Sequence, residues 1–122
     1  MGPASGRNIF SASSLNGVAV RNAAGEDLGE IKDLVLDVES GRLAYAVLSF
    51  GGFLGLGDKY FAIPWSALSL SRDDQIFILD VPREKLENAP GFDKDNWPDM
   101  AETQWETVIH SYYGYRPYWD QK

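Results

Sequence analysis

The chain has no cysteine, which excludes disulfides, thiolate metal sites and a cysteine nucleophile. Its single histidine, His110, leaves no second imidazole for a metal and puts any acid–base role on one ring. Positive charge is also scarce: 11 Lys and Arg face 18 Asp and Glu, for a net charge of −7 and an isoelectric point near 4.5. Cations supply most of the affinity for phosphate backbones and anionic lipid surfaces, so neither nucleic acid nor membrane insertion is expected. No run approaches the ~18 apolar residues of a spanning helix, and residues 1–14 lack the charged start and apolar middle of a secretory leader. The resulting expectation is a cytoplasmic protein.

What remains is material for one domain. At 122 residues, 44% apolar and 24% charged, the chain has a soluble globular composition and enough length for one core. Its aromatic residues are unevenly placed, because half of them, including Trp97, Trp105 and Trp119, follow Pro90.

Before that point, residues 17–21, 29–37, 43–50, 59–63 and 75–81 read as short strands separated by turn chemistry. Asn22-Ala23-Ala24-Gly25-Glu26-Asp27 and Ser71-Arg72-Asp73-Asp74 are turns, and Val38-Glu39-Ser40-Gly41-Arg42 is a hairpin with Gly41 at positive φ. Pro64 lacks the N–H a ladder needs and stops the fourth strand, with one helical turn expected over residues 64–68. Five or six short strands predict an all-β fold, a small antiparallel barrel.

Leu34-Val35-Leu36, Leu43-Ala44-Tyr45-Ala46-Val47-Leu48 and Ile76-Phe77-Ile78-Leu79 are apolar on both faces, whereas a half-solvated sheet alternates. One face fills the barrel. The other requires a cover from the C-terminal tail, a second copy or another protein.

The tail supplies one candidate. Ala101, Trp105, Val108, Ile109 and Tyr112 form the stripe of an amphipathic helix, with Glu102, Glu106 and His110 expected on the opposite, polar face. Pro98 suits its first turn, Asp99 and Glu102 its positive end, and Gly114 its stop. Glu87-Asn88-Ala89-Pro90-Gly91-Phe92 reads as a linker. The organisation expected is a barrel over residues 13–88 and an extension over residues 89–122.

Signals for chemistry are sparse. Gly52, Gly55 and Gly57 near Lys59 suggest a phosphate loop, but a strand follows where the anion-holding helix should begin. Asp93, Asp95 and Asp99 open like a calcium loop, yet Trp97, Pro98 and Gln104 occupy positions that need a ligand, a glycine and a bidentate glutamate. Glu106 and His110, one turn apart, read as a surface ion pair rather than an acid–base dyad. Asp33 and Asp37, with Lys32 and Arg42 nearby, read as edge charges and hairpin-end acceptors. Arg116 among Tyr115, Tyr118 and Trp119 has the composition of an interface cluster or of a tail folded back on its barrel. No enzyme, cofactor or metal site is expected.

Leu15-Asn16-Gly17-Val18-Ala19-Val20, Gly29-Glu30-Ile31-Lys32-Asp33-Leu34-Val35-Leu36-Asp37, Gly41-Arg42-Leu43-Ala44-Tyr45-Ala46-Val47-Leu48 and Phe61-Ala62-Ile63-Pro64-Trp65 together resemble the PRC-barrel domain. The resemblance spans about residues 13–81, with Gly-x-Ile-x-Asp and Ile-Pro-Trp its most specific pieces. The family is named for the cytoplasmic domain of the photosynthetic reaction centre H subunit, and a related barrel ends the ribosome maturation factor RimM. The tail is similar to an extension in stand-alone bacterial members of undefined role. The resemblance implies a PRC-type barrel used as an assembly module and carries over no catalytic residue.

The combined expectation is a non-enzymatic scaffold that forms a homodimer and docks to an unidentified protein. Its interface residues would be Leu36, Tyr45, Val47, Phe53, Leu54, Trp105 and Trp119. The alternative is a small-ligand or divalent-metal pocket between barrel and extension, with Asp93, Asp95, Asp99 and His110 as its polar groups.

Overall fold

The computed structural model describes residues 9–51, 59–71, 73–117 and 119. Its strands are β1 (Ala19–Arg21), β2 (Asp27–Asp37), β3 (Arg42–Phe50), β4 (Lys59–Pro64), β5 (Leu68–Ser71) and β6 (Ile76–Leu79). Two helices follow, α1 (Arg83–Glu87) and α2 (Thr103–Tyr113). The strands form one sheet in the order β4-β3-β2-β1-β6-β5.

That order requires a curl. β4 and β5 stand at opposite ends of the sheet yet are joined only by the 3-10 turn Trp65–Ala67. Four Cα steps reach at most about 15 Å, whereas the outer strands of a flat six-stranded sheet lie about 24 Å apart. The sheet is therefore rolled into a half-barrel.

The expectation of a wholly antiparallel barrel needs one correction, since β1 and β6 pair in parallel. The corner at Trp65–Ala67 does not reverse the chain as a hairpin would, so β5 keeps the sense of β4. The β5–β6 hairpin then brings β6 alongside β1 in the same direction. The other neighbouring pairs are antiparallel, and the β2–β3 hairpin turns at Gly41 with φ +73° as expected. Asn22 serves the turn before β2: its Oδ1 accepts from the Ala24 and Glu26 amides, while its Nδ2 donates to the Val81 carbonyl at 3.1 Å.

The register assigns the two faces of β3. Ala46, Leu48 and Phe50 lie opposite Ile63, Phe61 and Lys59, while Tyr45, Val47 and Ser49 lie opposite Pro64, Ala62 and Tyr60. Directly opposed residues of an antiparallel pair share a face. The Leu48 face also receives Ile31 from β2 and forms the barrel interior. The Tyr45 face is covered by the extension of the same chain. Trp105 and His110 stack edgewise on Tyr45, and Phe92 and Trp97 do so around Tyr60. Phe92 also bridges to β4, with N···O distances of 2.9 and 3.0 Å to Tyr60.

The helix is rotated from its predicted apolar stripe: Ile109 stays buried and Trp105 and Tyr112 half-buried, but Val108 turns outward. Glu106, Ile109, His110 and Tyr113 are buried, and Val108 is 51% exposed. Pro98 lies outside the helix, whose N-cap is Glu102, its carboxylate accepting from the Trp105 amide at 2.6 Å. Gly114 ends it in the left-handed conformation, φ +78°. Docking therefore follows the aromatic contacts on Tyr45 and the hydroxyl tie from Tyr112 to the Lys85 carbonyl, at 2.5 Å, rather than the hydrophobic average of the helix.

Candidate functional site

Two places between barrel and extension bring functional side chains together: a buried polar layer beneath α2 and an open cleft beside β4. In the first, His110 is 1% exposed and Glu106 8%. His110 Nδ1 lies 2.8 Å from the Glu106 carbonyl oxygen, which can only accept, so the ring carries its proton on Nδ1. Tyr45 Oη is 3.4 Å from the same nitrogen, and the Tyr45 hydroxyl also bonds the Glu106 carboxylate. The ring of Trp119 meets His110 edgewise, with centroids 5.7 Å apart and 69° between planes.

Burial sets the electrostatics here. It pushes the Glu106 carboxyl above the ordinary glutamate range, reinforced by the negative charge of Asp37 and opposed by the Tyr45 hydrogen bond. It pulls His110 below the ordinary histidine range, against the bond to the Glu106 carbonyl. Tyr113 is raised as well, chiefly by burial, and its hydroxyl has no hydrogen-bond partner among the described residues. The expected surface ion pair of Glu106 and His110 is thus corrected to a buried layer in which burial disfavours the charged form of each group.

The second place is a cleft of about 630 Å³ lined by Lys59, Trp105 and the stretch of the extension from Pro90 to Pro98 that includes Phe92, Asp93, Asn96 and Trp97. Gly91 lets the extension approach β4 closely, since a Cβ there would lie 2.9 Å from the Tyr60 carbonyl oxygen and from a Phe61 ring carbon. Trp97 is held by its indole N–H on the Lys94 carbonyl at 2.8 Å.

The residues expected at an interface are dispersed by the fold. Tyr45 and Val47 are fully buried by their own chain, so they are core positions and not exposed surface. Leu36 is 52% exposed, Trp119 42%, and Trp105 half-buried on the cleft wall. Phe53 and Leu54, like the rest of the glycine-rich segment over residues 52–58, lie outside the described residues. Asp33 and Asp37 accept from nearby backbone amides, Asp37 from Glu39 and Ser40 at the hairpin end. Arg116 is exposed. Asp93, Asp95, Asp99 and His110 do not converge: among the described residues no three His, Asp or Glu side chains are grouped to hold a metal ion. Sequence reasoning missed the part of Lys59, Pro90 and Asn96 in a cleft, and only the cluster of turn-forming residues around 88–98 hinted at a bend there.

A curled six-stranded sheet with an Ile-Pro-Trp corner defines a small β-barrel module. Residues 7–86, well over half of the chain, match the PRC-barrel domain, and the chain belongs to that family. Such domains are generally non-catalytic modules. No curated protein matches the chain. Among the described residues no helix is long and apolar enough to cross a membrane.

Proposed function

We propose that this chain is a non-enzymatic protein-interaction module of the cytoplasm, which self-associates as a dimer and docks to a second protein. The observation that carries the reading is apolar surface left over after the extension has covered the barrel. Leu36 and Val38, at the end of the β2–β3 hairpin, are 52% and 80% exposed. Burying a side chain of this size completely contributes roughly 1.5–3 kcal/mol, and a two-fold interface counts each residue twice. Trp119 and Tyr115 add exposed aromatic surface on the extension.

Light scattering on the full chain tests the self-association. The expected mass at micromolar concentration is twice 13.6 kDa, falling to the single-chain value when Leu36 and Val38 are both replaced by lysine. A monomeric wild type removes the dimer and leaves those residues to the second protein.

The alternative, a ligand pocket between barrel and extension, draws its support from the cleft beside β4. Its metal form lacks support, because the carboxylates meant to hold the ion stand apart.

A further inference from the structure

We infer that the cleft beside β4 receives a proline-rich segment of a protein partner, flanked by basic residues and held in the extended polyproline conformation. The inference rests on the protein-interaction reading above and names the chemistry of the partner.

The shape comes first. The cleft is open to solvent, and aromatic walls from Phe92, Trp97 and Trp105 line its roughly 630 Å³. Those walls are braced from behind. Trp97 meets Tyr60 and Phe92 with ring centroids 6.1 and 5.2 Å away, and Trp105 meets Tyr45 at 5.3 Å. Braced indoles cost little side-chain entropy on binding, and such aromatic grooves suit a polyproline helix, itself ordered before it binds.

Hydrogen bonding narrows the occupant further. The Phe92 N–H and C=O are both committed to Tyr60, the Trp97 indole N–H to Lys94, and Pro90 and Pro98 bring no N–H at all. An added β-strand would find no ladder in this wall. A proline-rich segment presents few N–H groups of its own, so burial against such a wall leaves few donors unsatisfied. Lys59, Asp93 and Asn96 bring polar side chains to the same lining.

Charge supplies the flank. Asp93 and Lys59 lie on the wall, Asp95, Asp99 and Lys94 are exposed nearby in the chain, and the protein as a whole carries −7, so acid is in excess. A segment with arginine beside its prolines is attracted and oriented, and one flanked by acid is repelled.

The test is a fluorescence titration of the full chain, with indole emission as the signal. One synthetic peptide has a proline run followed by arginines, a second replaces the prolines with alanine, and a third replaces the arginines with glutamate. Saturable binding of the first is expected, weaker by about tenfold for each of the others and weakened by added salt. Trp97→Ala should reduce affinity about tenfold. Asp93→Lys, an exposed change that spares the fold, should shift preference toward the glutamate-flanked peptide. Equal binding of the alanine peptide would show charge attraction alone and overturn the inference. So would saturation by a disaccharide that displaces the peptide, or the absence of saturation at ~1 mM peptide, a concentration that corresponds to about −4 kcal/mol. The light-scattering mass is independent of these results, so failure of the peptide and failure of the module reading are separately visible.

Discussion

β3 separates two buried layers of different chemistry. Inside the barrel, Leu48, Ile31, Phe61 and Ile63 are at most 1% exposed, and their side chains are wholly apolar. On the outer face, Tyr45 is buried just as completely, but it meets Glu106, His110 and Trp105. Equal burial therefore does not mean equal dependence on conditions. The inner layer is held by close packing, which pH does not address. The outer layer contains two titratable groups whose burial is costly when they are charged, and it is this layer that fastens the extension to the barrel.

The largest expected effect lies in the inner layer. Leu48→Ala should lower unfolding free energy by about 3 kcal/mol, measured by urea denaturation, because the packed residues around it cannot fully close the gap. A loss no greater than that of an outer-layer substitution would break the distinction. Trp105→Ala should lose less, about 2 kcal/mol, since its ring is half-buried and its edgewise contact with Tyr45 is only one part of the outer layer.

The pH response sharpens the contrast. His110 has a lowered pKa in the folded chain, so its neutral form contributes stability that is fully present above about 6.5 and is lost as pH falls below that value toward its folded pKa. Glu106 has a raised pKa, so its contribution is complete below about 4.5 and is lost as pH rises through its folded value. Thermal melting from pH 7.5 to 5 should therefore show less acid loss in His110→Phe than in the wild type. Glu106→Gln should melt higher at pH 7, with the advantage shrinking as pH falls. Coincident curves for wild type and His110→Phe would remove the histidine from this account. The smallest effect belongs to neither layer: Glu87→Ala breaks an exposed pair with Arg83, 3.8 Å apart, and should change stability by less than about 0.5 kcal/mol in the same denaturation assay.

Most of the barrel was legible because its signals are local. The alternation-free runs of β2 and β3, the turn at Gly41 and the stop at Pro64 each act within a few residues. β5 was missed because Leu68-Ser69-Leu70-Ser71 is short and looks like the connection it follows, and α1 because Arg83-Glu84-Lys85-Leu86-Glu87 has a single buried residue. The candidate sites were less legible. The cleft joins Lys59 to residues 90–98 and Trp105, which meet only once the extension turns back along β4.

By itself the sequence determined five of the six strands, the hairpin, the family and the need to cover a second apolar face, since each follows from residue type and spacing along the chain. Only the tertiary structure decided which layer covers that face and how. It rotated α2 so that Glu106 and His110 point inward and Val108 outward, because contacts with Tyr45 and Tyr112's bond to Lys85 outweigh the helix's average hydrophobic direction. It also made β1 and β6 parallel, because a corner that fails to reverse the chain changes the sense of every strand after it.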